Sequence, residues 1–310
     1  MLFRSFVSPT RTDRISGPDR YNTAAAIANT YEAPGSTDSV FIATGADFPD
    51  ALAGAAVAGH IGAPVLLVGT TIPAIVATQL SRIKPKHIFI LGSAAAVSST
   101  IGGQLQAYAP DVQRYGGVDR YETAQLTAQH FYPSGADTVF IATGLNFPDA
   151  LAGAAVAGHL GAPILLVPLA DTLGAATTAA LSFLHPNHIV ILGSAGVVST
   201  AQANLLKTYA PVVRYGGADR YDTAQLIADH YFASGANIAF VASGANFPDA
   251  LAGAAIAGAL NAPIEIVTVD AIPGPTLSSL TNVVKPHSIV VLGGPSVVSA
   301  AVMSQLAGIP

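Results

Sequence analysis

The apolar positions of this chain change period repeatedly between a strand and a helix pattern. A short stretch at 14–16 reads as a strand, and from Asp19 the apolar side chains Ala24, Ile27, Ala28 and Tyr31 fall at the three-and-four spacing of a helix. Residues 39–44 form a continuous β-rich run of the kind buried on both faces of a parallel sheet. A helix is predicted from Pro49, a strand over 64–68, a helix over 73–83, a strand over 87–91 and a helix near 98–108. Strand and helix thus alternate four times in the first hundred residues or so, which predicts a parallel sheet covered by helices with right-handed crossovers.

The pattern then repeats. Asp19-Arg20-Tyr21 returns as Asp119-Arg120-Tyr121 and Asp219-Arg220-Tyr221, and the box from Phe48 to Gly54 returns at 147–153 and 247–253. A length of 310 residues would ordinarily suggest two domains. The self-similarity divides it instead into a tail, 1–9, and repeats at 10–110, 111–210 and 211–310. The predicted fold class is α/β: three tandem Rossmann-like or flavodoxin-like parallel-sheet modules. Units of this size bury little surface alone, so the three are expected to pack together through apolar faces.

Composition narrows the function. With 51% hydrophobic and only 10% charged residues the chain can build a large core, which excludes disorder. A net charge of −5 offers no basic field for nucleic acid. The absence of cysteine removes disulfides, thiolate metal sites and a cysteine nucleophile. The most apolar stretch, 51–68, is interrupted by Gly54, Gly59, His60 and Gly62-Ala63-Pro64, so it reads as a buried helix and a buried strand, not a membrane span. Residues 1–10 lack the apolar run of a signal peptide. No nucleotide-binding glycine motif is present, His185 and His188 make a poor zinc pair, and no nucleophile is matched with a base; no cofactor, no metal and no catalytic residue are expected.

Two boxes hold the candidate chemistry. The first carries six of the nine arginines: Arg14 and Arg20, Arg114 and Arg120, Arg214 and Arg220. They could be forks for a carboxylate or phosphate, or local partners of carboxylates and carbonyls around a glycine turn. Asp19, Asp119 and Asp219 would cap the following helices. The second box places Gly45, Gly144 and Gly244 at a strand's carboxyl end, where open α/β sheets bind ligands, followed by Asp50, Asp149 and Asp249 in the first helical turn.

The R-x-x-G-x-DRY-x-TA box, the TG-x-x-FPDALAG box, the GAP[VI]LLV strand and the I-x-[IV]LG[SG] strand, in one order three times over, resemble the type 2 cell-wall-binding repeat family, which anchors exported proteins of Gram-positive bacteria. The resemblance implies three modules around a pseudo-three-fold axis. It also implies a secreted, non-catalytic cell-surface protein that holds an anionic wall polysaccharide non-covalently, with chemistry supplied by an effector domain not seen in this sequence. The family's Pro-Ile-Leu-Leu motif falls on Pro64, Leu66 and Leu67 and on Pro163, Leu165 and Leu166, which it marks as ligand-binding. The third copy, whose Pro263 and Glu265 fall on the same ligand-binding positions, departs: it reads Pro263-Ile264-Glu265-Ile266, with Glu265 where the others have leucine. That carboxylate is expected at a solvated surface near the junction of the modules, or else beside a basic or amide partner. A structural surface-layer protein without glycan binding and an α/β enzyme are the alternatives.

Overall fold

The computed structural model describes residues 10–309 apart from Phe48 and Phe147; the expected tail, 1–9, and the phenylalanines of the first two FPD boxes lie outside the described residues. The first repeat contains β1 (Arg11–Ile15), α1 (Arg20–Tyr31), β2 (Ser39–Thr44), α2 (Pro49–Ile61), β3 (Val65–Val68), α3 (Ala74–Ile83), β4 (His87–Leu91) and α4 (Ser99–Leu105). The second contains β5 (Asp111–Tyr115), α5 (Arg120–Phe131), β6 (Thr138–Thr143), α6 (Pro148–Leu160), β7 (Ile164–Val167), α7 (Ala175–Leu184), β8 (His188–Leu192) and α8 (Thr200–Leu206). The third contains β9 (Val212–Tyr215), α9 (Arg220–Tyr231), β10 (Ile238–Ser243), α10 (Pro248–Ala259), β11 (Ile264–Val267), α11 (Gly274–Ser278), a π-helical segment Ser279–Val284, β12 (Ser288–Leu292) and α12 (Ala300–Ala307).

Three four-stranded, wholly parallel sheets result, ordered β3-β2-β4-β5, β7-β6-β8-β9 and β11-β10-β12-β1. Each sheet is therefore one strand out of phase with the sequence repeat. It borrows its fourth strand from the start of the next repeat, and the third sheet borrows from the N-terminus. Arg11 to Ile15 run beside Ser288 to Leu292 in register, and Thr10 N–H donates to the Ile309 carbonyl at 3.3 Å. The ring is closed by pairing between its two ends.

Local chemistry dictates these joints. Asp19, Asp119 and Asp219 cap α1, α5 and α9, each accepting from backbone amides of the first turn. The hydroxyls of Thr23, Thr123 and Thr223 accept from the amides of Gly17, Gly117 and Gly217 at 3.1 Å, which fixes the turn between borrowed strand and helix. The borrowed helix then seats an aromatic ring on the preceding sheet: Phe131 lies 5.6 Å from Phe41, Tyr231 6.3 Å from Phe140, and Tyr31 5.8 Å from Phe240.

The central helices α2, α6 and α10 pack on one another at the middle of the molecule. Their Ala/Gly composition follows from two close approaches. A Cβ at Gly54 would lie 2.1 Å from the Leu91 side chain of its own sheet, and one at Gly59 would lie 3.4 Å from the Cα atoms of both Gly158 and Gly258. Gly59, Gly158 and Gly258 thus mark the pseudo-three-fold axis. One apolar core runs through all three repeats, with Phe41, Phe140 and Phe240 fully buried. The stretch 51–68 is divided between α2 and β3, and no helix among the described residues is long and apolar enough to cross a membrane.

Candidate functional site

In the strand order β3-β2-β4-β5 the chain steps to one side of β2 and then returns on the other, so the carboxyl ends of β2 and β4 flank a switch point, the usual ligand position in open α/β sheets. A cleft opens there in each sheet. The first, about 740 Å³, lies between the turn after β2 (Ala46, Asp47), the turn after β4 (Ser93, Ala96) and the borrowed turn leading into α5 (Gly117 to Arg120). The second, about 160 Å³, includes Asn146, Asp149, Val197 and Arg220, and the third, about 120 Å³, includes Asn246, Asp249, Val297 and Arg20. Every cleft is thus built from two repeats.

The two arginine series separate at this point. Arg20, Arg120 and Arg220 line the clefts, each donating from one guanidinium nitrogen to the carbonyl of Gly45, Gly144 or Gly244. Arg14, Arg114 and Arg214 are staples. Arg14 donates to the carbonyls of Gly293 and Val298, at 2.8 Å for the latter; Arg214 donates to Gly193 at 2.7 Å and Val198 at 2.8 Å; Arg114 donates to Gly92 at 2.8 Å and Ser93 at 3.0 Å. Each ties a borrowed strand to the turn beside it. The carbonyl-partner reading of the arginine box is the one seen in all six side chains.

Gly45, Gly144 and Gly244 make room for a ring: a Cβ would lie 2.7 Å from Tyr21, 2.6 Å from Tyr121 or 3.0 Å from Tyr221. Asp50, Asp149 and Asp249 do more than begin a helix. Each crosses to the next repeat, where it meets Thr123 and Arg120, Thr223 and Arg220, or Thr23 and Arg20. Burial pushes all three carboxyl groups above the usual range, and the facing threonine and arginine pull them back. Gly92 holds a left-handed φ of 97°, and a Cβ there would lie 2.4 Å from the Asp50 carboxylate, so the glycine of the I-x-[IV]LG strand end accommodates the aspartate of the other box.

The Pro-Ile-Leu-Leu positions lie elsewhere. Pro64, Pro163 and Pro263 are buried at the starts of β3, β7 and β11, and Leu66, Leu67, Leu165 and Leu166 are at most 1% exposed inside the core. These side chains hold the sheets together and are sealed from any ligand in the clefts. Glu265 corrects the expectation of a solvated surface: it is 0% exposed, paired in register with Val241 in the middle of β10-β11. Among the described residues no basic or amide partner replaces the water. Among the same described residues neither carboxylate oxygen has a hydrogen-bond partner, nor does the buried hydroxyl of nearby Ser279. Burial therefore pushes the Glu265 carboxyl up to about 8, and the carboxylate of Asp229 adds to the rise.

Sequence reasoning did not single out Thr23, Thr123 and Thr223, although they stand in the DRY-x-TA box, nor the column occupied by Asp47, Asn146 and Asn246.

A family model described as cell wall binding domain 2 matches residues 14–102, 114–203 and 214–303, one match within each repeat. The chain belongs to the cell wall binding domain 2 family. Among its curated relatives of known length, the amidase enhancer of Bacillus subtilis (strain 168) is 30% identical over 96% of this chain and 40% of its own. The N-acetylmuramoyl-L-alanine amidase LytC of the same organism is 28% identical over 79% of this chain and 48% of its own. Cwp6 from Clostridium difficile superposes with a TM-score of 0.88 at 23% identity, covering 97% of this chain and 48% of that one, which is a likeness of fold. A cell wall binding domain 2 chain of this length thus spans about half, or less, of the proteins it matches.

Proposed function

We propose that the chain is a non-catalytic anchor of the cell surface that holds an anionic wall polysaccharide non-covalently in the clefts between repeats. The observation that carries this reading is the placement of Arg20, Arg120 and Arg220 in three related clefts at the switch points of the sheets. Family membership supports a wall partner. Three weak sites spaced around one rigid ring suit a repeating polymer, because each engaged site raises the effective concentration at the next. Chemistry on the wall belongs, in this reading, to another domain of a longer protein.

The test is retention on purified wall sacculi before and after acid extraction of their secondary polymers. Retention should fall after extraction and with rising salt, since charge attraction at exposed sites is screened over about 8 Å at physiological ionic strength. Replacing the arginines would also remove their bonds to the glycine carbonyls, so the cleaner variant is Asn146→Asp with Asn246→Asp. It copies into two clefts the carboxylate that the first already carries beside Arg120, and it should weaken retention while the fold persists by circular dichroism. Retention indifferent to acid extraction would overturn the reading.

A further inference from the structure

The three clefts differ in size and charge, and the differences trace to named residues. Ala96 stands where the second and third clefts have Val197 and Val297. The connection from β3 to α3 is 69–73, shorter than its counterparts at 168–174 and 268–273, and Gly69 and Thr70 become part of the lining. At about 740 Å³, against about 160 and 120 Å³, only the first of the three falls in the roughly 300–1,000 Å³ range of ligand pockets.

The charge difference is Asp47. Its carboxylate lies 3.7 Å from the Arg120 guanidinium, and its side chain is 57% exposed to the cleft and solvent. The counterparts beside Arg220 and Arg20 are the neutral Asn146 and Asn246. In formal charge the first cleft sets Asp47, Asp50 and Asp119 against Arg120, whereas each of the others sets two carboxylates against one guanidinium. The buried aspartate and the capping aspartate recur in all three, so with those groups in the same protonation state the first cleft keeps one more negative charge. Its arginine is already answered from within the protein. An anionic group gains least there and an ammonium group gains most.

Resting on the reading of the clefts as polymer sites, we propose that the first cleft is the principal sugar pocket and takes a residue bearing a free ammonium group, leaving anionic groups of the same polymer to the second and third. The ligand class is then a zwitterionic glycan, one carrying unacetylated amino sugars or amino-acyl groups together with acidic groups. The ring would read charge alternation along the chain, not total charge.

Calorimetric titration of the full chain with a glucosamine tetrasaccharide, against the same tetrasaccharide fully N-acetylated, tests this. The amine form should bind more tightly by about fivefold, the size of one solvent-accessible ion pair. Asp47→Asn should reduce that preference to near parity. Ala96→Val should weaken both ligands by filling the cleft, with circular dichroism confirming that each variant is folded. Equal binding of the two tetrasaccharides by the wild-type chain, no binding of either, or a preference unchanged in Asp47→Asn would overturn the proposal. Wild-type retention on sacculi, measured alongside, separates the two claims: retention without amine preference leaves the wall anchor standing and removes only the assignment of the first cleft.

Discussion

The first two sheets and the third have the same strand order, the same staple arginines and the same caps, yet they are held together differently. Sheets β3-β2-β4-β5 and β7-β6-β8-β9 are made from continuous chain, 39–115 and 138–215. The third joins 238–292 to 11–15 across nearly the whole sequence. The third also carries the buried acid: Glu265 replaces the leucines of β3 and β7, and the helix behind it has become a π-helical segment. The ring's structural costs are thus concentrated in one sheet. Closing it must offset the entropy of bringing distant ends together, whereas each of the other two closes locally.

Breaking the closure should give the largest effect. Removing residues 1–16 leaves β12 with an open edge and takes Arg14 from the carbonyls of Gly293 and Val298. With five paired residues lost at a net contribution near 1 kcal/mol for each hydrogen bond, urea denaturation should show a loss of about 4 kcal/mol or more. Fluorescence and circular dichroism transitions should also cease to coincide, because the first two sheets keep their own closure. A loss under about 1 kcal/mol would mean that the covalent gap makes no difference and that the sheets are equivalent after all.

Glu265→Leu should repair the second asymmetry. The unfolded chain ionises this carboxyl near 4.5 while the folded chain holds it protonated to about 8, so folding takes up a proton between those values. The wild type is then least penalised below pH 4.5, loses stability as pH rises toward 8, and levels off above it. The variant has no such dependence. At pH 7 it should be more stable by roughly 2–4 kcal/mol, and the gap should widen by about 1 kcal/mol per pH unit between 5 and 8. A gap that stays flat across this range would show Glu265 ionised in the native state and carrying an undetected partner.

What was legible in advance follows the physics of each signal. Hydrophobic period placed β2, α2, β3 and β4 because burial on both faces leaves an uninterrupted apolar run. Pairing leaves no such trace in the period, so the strand at 14–16 was read into its own repeat when its partner is β12. The R-x-x-G boxes after β4 and β8 supply the fourth strand of the first two sheets, whereas the box that supplies it for β12 is the one at the start of the chain, a pairing seen in the register alone. Glu265 was misjudged because a lone carboxylate in a buried strand violates the rule that buried charge is paired. The flanking spacing carried a hint, since Pro73 to Lys84 is one residue shorter than Pro273 to Lys285. In the clefts the repeated boxes identified the arginines and aspartates. Which arginine faces the cleft depended on the turn geometry beside it.

The smallest expected effect asks whether that inserted residue strains the helix end. Lys84, His185 and Lys285 all close their helices in the left-handed region, at φ values of 53°, 48° and 40°, where a side chain is disfavoured and glycine is not. The first two amides bond four residues back, to Leu80 and Leu181, whereas the Lys285 amide reaches five residues back to Leu280. Lys84→Gly and His185→Gly should each stabilise by about 0.5–1 kcal/mol, the cost of holding a Cβ in this conformation. Lys285→Gly should gain the same if the π-helical segment absorbs the extra residue within its own turn, as expected from the shared proline that follows all three positions. A gain at Lys285 larger than at the other two by more than about 0.5 kcal/mol would place strain from the insertion at the cap as well, and would extend the asymmetry of the third sheet beyond Glu265.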